Sequence, residues 1–68
     1  MAERLANRLK ERRTELGLTQ AELAERVGVT RKTVNTIENL VFTPSATLAI
    51  KLSEALGLRV EELFWIER

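Results

Sequence analysis

The chain has 68 residues, a formal net charge of +1, and neither cysteine nor histidine. Such a length holds one small domain that hides only about 60% of its unfolded surface, so its stability is marginal unless its helices pack well or chains associate. With aspartate also absent, it has no disulfide framework, no thiolate or imidazole metal site and no Ser-His-Asp triad, so no catalytic residue, metal or cofactor is expected.

The first predicted helix covers about residues 2–16. Leu5, Leu9 and Leu16 mark its buried stripe, with Ala6 beside them, and Gly17 stops it. Thr19 and Glu22 form a capping box that opens a second helix over about 20–26. Leu23, Ala24 and Val27 follow at helical spacing, and Gly28 ends that helix by taking a positive φ. Thr30 caps a third helix over about 31–38. Its Val34 and Ile37 fall on one side, and Arg31, Lys32 and Asn35 on the other.

Residues 39–44, NLVFTP, read as a loop ending in the only proline. Ser45 caps a fourth helix over about 46–56, on which Leu48, Leu52, Ala55 and Leu56 share a face before Gly57 ends it. A short fifth helix over about 60–64 follows, and the apolar Phe64-Trp65-Ile66 reads as helix end or a short strand. Nothing else alternates with period two, and there is no repeat, low-complexity segment or linker. The expected fold class is all-α: a compact bundle of five helices sharing one core, with that tail as its only candidate strand.

Charge is distributed unevenly. Residues 1–32 hold eight Arg or Lys and five Glu, whereas residues 33–68 hold three and five. Positive charge therefore concentrates in the half that carries most of the helix pair at 19–39, as suits a face meeting phosphates. A helix that hides two aliphatics and offers Arg, Lys and Asn to solvent suits the major groove of DNA. No stretch reaches the roughly 20 apolar residues of a membrane span. The charged, amphipathic start MAERLANRLK has no signal-peptide core, so a soluble cytoplasmic protein is expected.

The run LTQAELAERVGVTRKTVNTIEN, followed by TPSATLAIKLSEALGLRVEELF, resembles the phage Cro and repressor type of helix-turn-helix domain, also called the xenobiotic-response-element type. The resemblance spans residues 9–63 and implies a five-helix, lambda-repressor-like DNA-binding domain over residues 1–68, with the third helix as recognition helix. By the same resemblance, Arg31 and Lys32 read bases, with Asn35 and Thr36 as secondary groove-facing positions. Gln20, Thr30, Thr33 and Asn39 match positions that meet DNA phosphate or dock the helix. Arg13 and Glu38 match a partly buried ion pair between the first and third helices. Arginine can grip guanine O6 and N7 with two parallel N–H bonds, and asparagine can pair with adenine N6 and N7.

Four positions depart from the pattern. Leu40 stands where glycine is usual, Val41 where a basic or polar residue is frequent, Ala46 where a leucine is frequent, and Arg59 where Ser or Thr caps the fifth helix. A leucine resists the left-handed conformation by roughly 1–2 kcal/mol, so the exit of the third helix is expected to follow a different path. Large apolar side chains at a chain end mark an interface. Phe64, Trp65 and Ile66, in a tail over about 60–68, are therefore expected to join two copies. The expected function is sequence-specific binding of double-stranded DNA by a homodimer on an inverted repeat. It would act as a transcriptional repressor, with no small-molecule effector. The competing reading is a protein-interaction module such as the DNA-binding antitoxin of a toxin–antitoxin pair.

Overall fold

In the computed structural model, which describes residues 3–68, the chain runs β1 (Arg4–Asn7), α1 (Leu9–Glu15), α2 (Gln20–Val27), α3 (Arg31–Glu38), α4 (Ala46–Leu56), α5 (Val60–Leu63) and β2 (Phe64–Glu67). Five helices surround one core, and the two strands pair antiparallel across the ends of the chain. Leu9, Leu23, Val34, Ile37, Leu52, Leu56 and Leu63 are its fully buried side chains, so every helix contributes. Helices of four to eleven residues are too short to persist alone in water, and this shared burial is what holds them. No helix among the described residues is long and apolar enough to cross a membrane.

The caps follow the local chemistry of the sequence. Thr19 Oγ1 accepts from the Glu22 backbone N–H at 3.0 Å, and the Glu22 carboxylate accepts from the Thr19 N–H at 2.8 Å. That backbone hydrogen bond holds the Glu22 carboxyl below its usual range. Its stabilisation is therefore present above the pKa of the unfolded carboxyl and is lost as pH falls through the lowered folded value. Thr30 and Ser45 cap α3 and α4 in the same way, through the N–H groups of Thr33 and Leu48. At α5, Glu62 accepts from the Arg59 N–H at 2.8 Å, but Arg59 offers no acceptor in return, so only half of a capping box forms.

The first helix is shorter than its apolar stripe suggests. It begins at Leu9; residue 2, where the predicted helix starts, lies outside the described residues. Residues 4–7 are strand, with Leu5 opposite Ile66 and Ala6 opposite Trp65. The cause is distant in sequence: the tail offers a row of backbone donors and acceptors that this segment satisfies. Asn7 enforces the change of direction, its Oδ1 accepting from the Leu9 N–H at 3.0 Å. The helix also stops at Glu15, and Leu16, expected in the buried stripe, is 43% exposed while Leu18 turns inward.

The chain leaves α3 by the left-handed path that was expected to be closed to it. Leu40 adopts φ of +62°. In that geometry the Leu40 N–H reaches the Ile37 carbonyl at 3.1 Å, and the Val41 and Phe42 N–H groups reach the Thr36 carbonyl at 2.9 and 3.2 Å. Closing these otherwise orphaned carbonyls outweighs the cost of a Cβ at positive φ. Leu40→Gly should thus relieve about 1–2 kcal/mol of strain, partly offset by about 0.5–1 kcal/mol of added chain entropy in the unfolded state. Urea unfolding should show a net gain of about 0.5–1 kcal/mol for Leu40→Gly and none for Leu40→Ala, which keeps the Cβ.

Candidate nucleic-acid interface

Helices α2 and α3 pack through Leu23, Ala24 and Val27 against Val34 and Ile37, all buried. The turn between them is set by Gly28, at φ of +76°, and by the Thr30 cap. Burying Val34 and Ile37 leaves Arg31, Lys32 and Asn35 exposed on the opposite side of α3. Among the described residues, neither Arg31 nor Lys32 meets a carboxylate.

The inner end of α3 is held by a charged network. Arg13 Nε donates to Glu38 Oε2 at 2.7 Å, and a second guanidinium nitrogen reaches Oε1 at 3.2 Å, giving a two-pronged pair. The side chains of Arg13 and Glu38 are only 12% and 3% exposed. Arg13 also donates to the Leu18 carbonyl at 2.8 Å, and Gln20 Nε2 donates to Glu38 Oε1 at 3.0 Å. One carboxylate thus gathers donors from α1 and α2, and Arg13 ties in the turn between them as well. Gln20 buttresses α3 in this way.

The remaining candidate residues differ in what they leave free. Thr30 and Thr33 hydroxyls lie 3.1 Å apart at the exposed start of α3, beside backbone N–H groups that a phosphate can meet. The Thr36 hydroxyl donates to the Thr33 carbonyl at 2.9 Å, so this side chain offers no free donor. Asn39 Nδ2 donates to Asn35 Oδ1 at 3.2 Å, which leaves the Asn35 amide hydrogens for a partner. Bidentate pairing of Asn35 with adenine would use the second lone pair of that Oδ1 together with one amide hydrogen.

At the other end of the molecule, Phe64 is buried in the core and is not available at the surface. Trp65 and Ile66 are 39% and 45% exposed, with the Arg8 guanidinium 5.2 Å from the Trp65 ring centroid. Sequence reasoning missed Asn7, whose Nδ2 donates to the Ile37 carbonyl at 3.1 Å and so ties the end of β1 to α3. The signal available was modest: an Asn two residues before a buried leucine suits a turn that opens a helix.

A family profile described as helix-turn-helix matches residues 9–63. The chain is 43% identical over 63 residues to the HTH-type transcriptional regulator YgzD of Bacillus subtilis, which covers 93% of this chain and 96% of that one. Its fold is similar to the crystal structure of the restriction-modification controller protein C.AhdI from Aeromonas hydrophila. That match has a TM-score of 0.79 and 38% identity, over 84% of this chain and 86% of that one. It is also similar to the P22 c2 repressor protein in complex with a synthetic operator, with a TM-score of 0.78 and 30% identity over 79% and 82% of the two chains.

Removing one partner of the buried pair strands the other. Glu38→Ala should cost about 3–5 kcal/mol, a large share of the stability of a domain this size. Replacing both residues, with Arg13→Met and Glu38→Leu, should cost clearly less than the sum of the single changes. Thermal unfolding of the two single variants and the double variant checks this coupling.

Proposed function

Because this chain belongs to the Cro- and repressor-type helix-turn-helix family of DNA-binding transcriptional regulators, we propose that it binds an inverted repeat in duplex DNA as a homodimer. Each protomer lays α3 in the major groove. Arg31 and Lys32 read base edges, with Asn35 and Thr36 facing the same groove. Thr30, Thr33, Gln20 and Asn39 meet phosphates and set register without reading sequence. The observation that carries this reading is the pair of unengaged cations on the outer side of α3. The opposite side of that helix is fixed by the core and by Arg13, Gln20 and Glu38. A side chain can discriminate bases only from a frame that does not yield.

The two protomers join through the C-terminal tail, whose strand β2 carries the exposed Trp65 and Ile66. Two recognition helices about 34 Å apart then match half-sites one helical turn apart. Occupying a promoter in this way excludes polymerase, so the regulator represses. It works in the cytoplasm without a small-molecule effector, and the balance between monomer and dimer sets its response to its own concentration. The P22 c2 repressor provides a parallel, as a similar chain seen on a synthetic operator.

Selection from random duplexes at stated salt should return an inverted repeat; recovery of no preferred sequence would sink the proposal. Arg31→Ala should relax preference at one or two positions per half-site, with about 1–3 kcal/mol of discrimination lost. Gln20→Ala should weaken binding to all sequences about equally. Trp65→Ser combined with Ile66→Ser should give a monomer in sedimentation and weaken operator binding, while leaving the core residue Phe64 in place. An unchanged dimer would remove the tail from the interface.

A further inference from the structure

Val41 and Phe42 border the side of α3 that carries Lys32. With Lys32, Thr33 and Thr36 they line an open depression of about 320 Å³ whose walls are overwhelmingly apolar. Val41 is 77% exposed, an unusual position for a large aliphatic side chain when so much of the chain's apolar surface lies in the core. The floor of the depression is fixed. Both the Val41 and the Phe42 N–H groups donate to the Thr36 carbonyl, and the Leu40 N–H donates to Ile37. Internal bonds also engage the hydroxyls nearby: Thr36 donates to the Thr33 carbonyl, and the Thr33 and Thr30 hydroxyls bond each other. Lys32 alone supplies a charge at the rim, and the rest of the lining offers methyls and an aromatic ring.

In the major groove, the one apolar group that an unmodified base pair presents is the thymine C5-methyl. We propose that the Val41–Phe42 depression receives the C5-methyl of a thymine next to the base pair met by Lys32, so that these two residues help determine operator sequence. This inference rests on α3 entering the major groove. Continuity selects DNA as the occupant, because Lys32 and Thr36, which face the groove in the proposed reading, also line the depression, with the phosphate-facing Thr33 beside them. A partner protein seated there would cover that face. The depression is wide enough for more than one methyl, so stacked thymines on one strand fit it as well as a single one.

Deoxyuridine differs from thymidine only by lacking that methyl, which makes the test specific. The wild-type protein first selects its duplex from a random library, and each thymine in the selected site is then replaced by uracil in turn. Burying one methyl corresponds to about 0.8 kcal/mol, or about a fourfold change in Kd. One or two thymines per half-site should therefore show a three- to fivefold loss, on the order of that figure. In a Val41→Ser, Phe42→Ser variant the same thymine and uracil duplexes should bind alike. Both side chains are exposed, so the variant is expected to keep its fold, and its unfolding midpoint verifies this. A selected duplex indifferent to uracil at every position, or a uracil penalty that persists unchanged in the variant, overturns the inference while leaving groove binding by α3 intact. Failure of the wild-type protein to select any duplex overturns both.

Discussion

A carboxylate hidden from water must be held on several sides, and Glu38 is that group. Stripping a carboxylate of water costs several kcal/mol, which is repaid only when its oxygens are filled with well-aligned donors. Here Arg13 approaches both oxygens and Gln20 approaches one. Because Arg13 stands on α1 and Gln20 opens α2, satisfying Glu38 fixes α3 relative to both. Arg13 is constrained in turn by the Leu18 carbonyl, in the turn between α1 and α2. A hydrophobic cluster of equal volume would hold the helices together about as well, but it would tolerate small rotations that hydrogen bonds of fixed direction resist. The network therefore acts chiefly on direction, and direction is what a reading helix needs.

The second constraint closes the ends of the chain. Arg4 with Glu67 links the two strands at the surface and Glu3 with Arg68 links the residues flanking them, and each pair contributes at most about 1 kcal/mol. The sheet matters more through what it buries, since Phe64 joins the core and Leu5, on the same face, packs against it. Asn7 then bridges the last residue of β1 to the carbonyl of Ile37. The path from the exposed tail to α3 is consequently short: Trp65 pairs with Ala6, Asn7 follows, and α3 is reached by one hydrogen bond. If two copies meet at Trp65 and Ile66, the separation of their recognition helices is transmitted through these few contacts and not through a long flexible route.

What was legible in the sequence divides by range. Thr19, Glu22, Gly28, Thr30, Ser45 and Gly57 all act within four residues of themselves, and each does what its local chemistry dictates. The apolar stripes of α2, α3 and α4 were readable for the same reason. The β1 strand was not, because Leu5 and Leu9 fit a helical period equally well and the competing partner lies some sixty residues away. The pairing of Arg13 with Glu38, twenty-five residues apart, came from the family pattern and not from spacing. Leu40 takes the path not expected of it for a physical reason: the cost of its Cβ is local, whereas the backbone bonds that the left-handed turn makes possible are invisible in a string of letters. Phe64 and Trp65 are neighbours in sequence with opposite fates, because a strand alternates its faces and only one of them meets the core.

A net charge of +1 understates how the cations are allocated. Among the described residues, Arg4, Arg8, Arg12, Arg13, Arg59 and Arg68 each face a glutamate. Arg12 is used a second time, donating to the Leu56 carbonyl at the end of α4, where positive charge also complements the helix dipole. These residues are engaged in holding the fold, and each would lose a protein partner on turning toward a phosphate. Arg31 and Lys32 would lose none. Both are exposed and unpaired in the free protein, so the favourable step on meeting DNA is release of counterions from the duplex, not the breaking of an internal pair. Among the described residues five cations have no carboxylate partner: Lys10, Arg26 and Lys51 lie on α1, α2 and α4, and Arg31 and Lys32 stand together on the helix whose reverse side is fixed by the core and by Glu38.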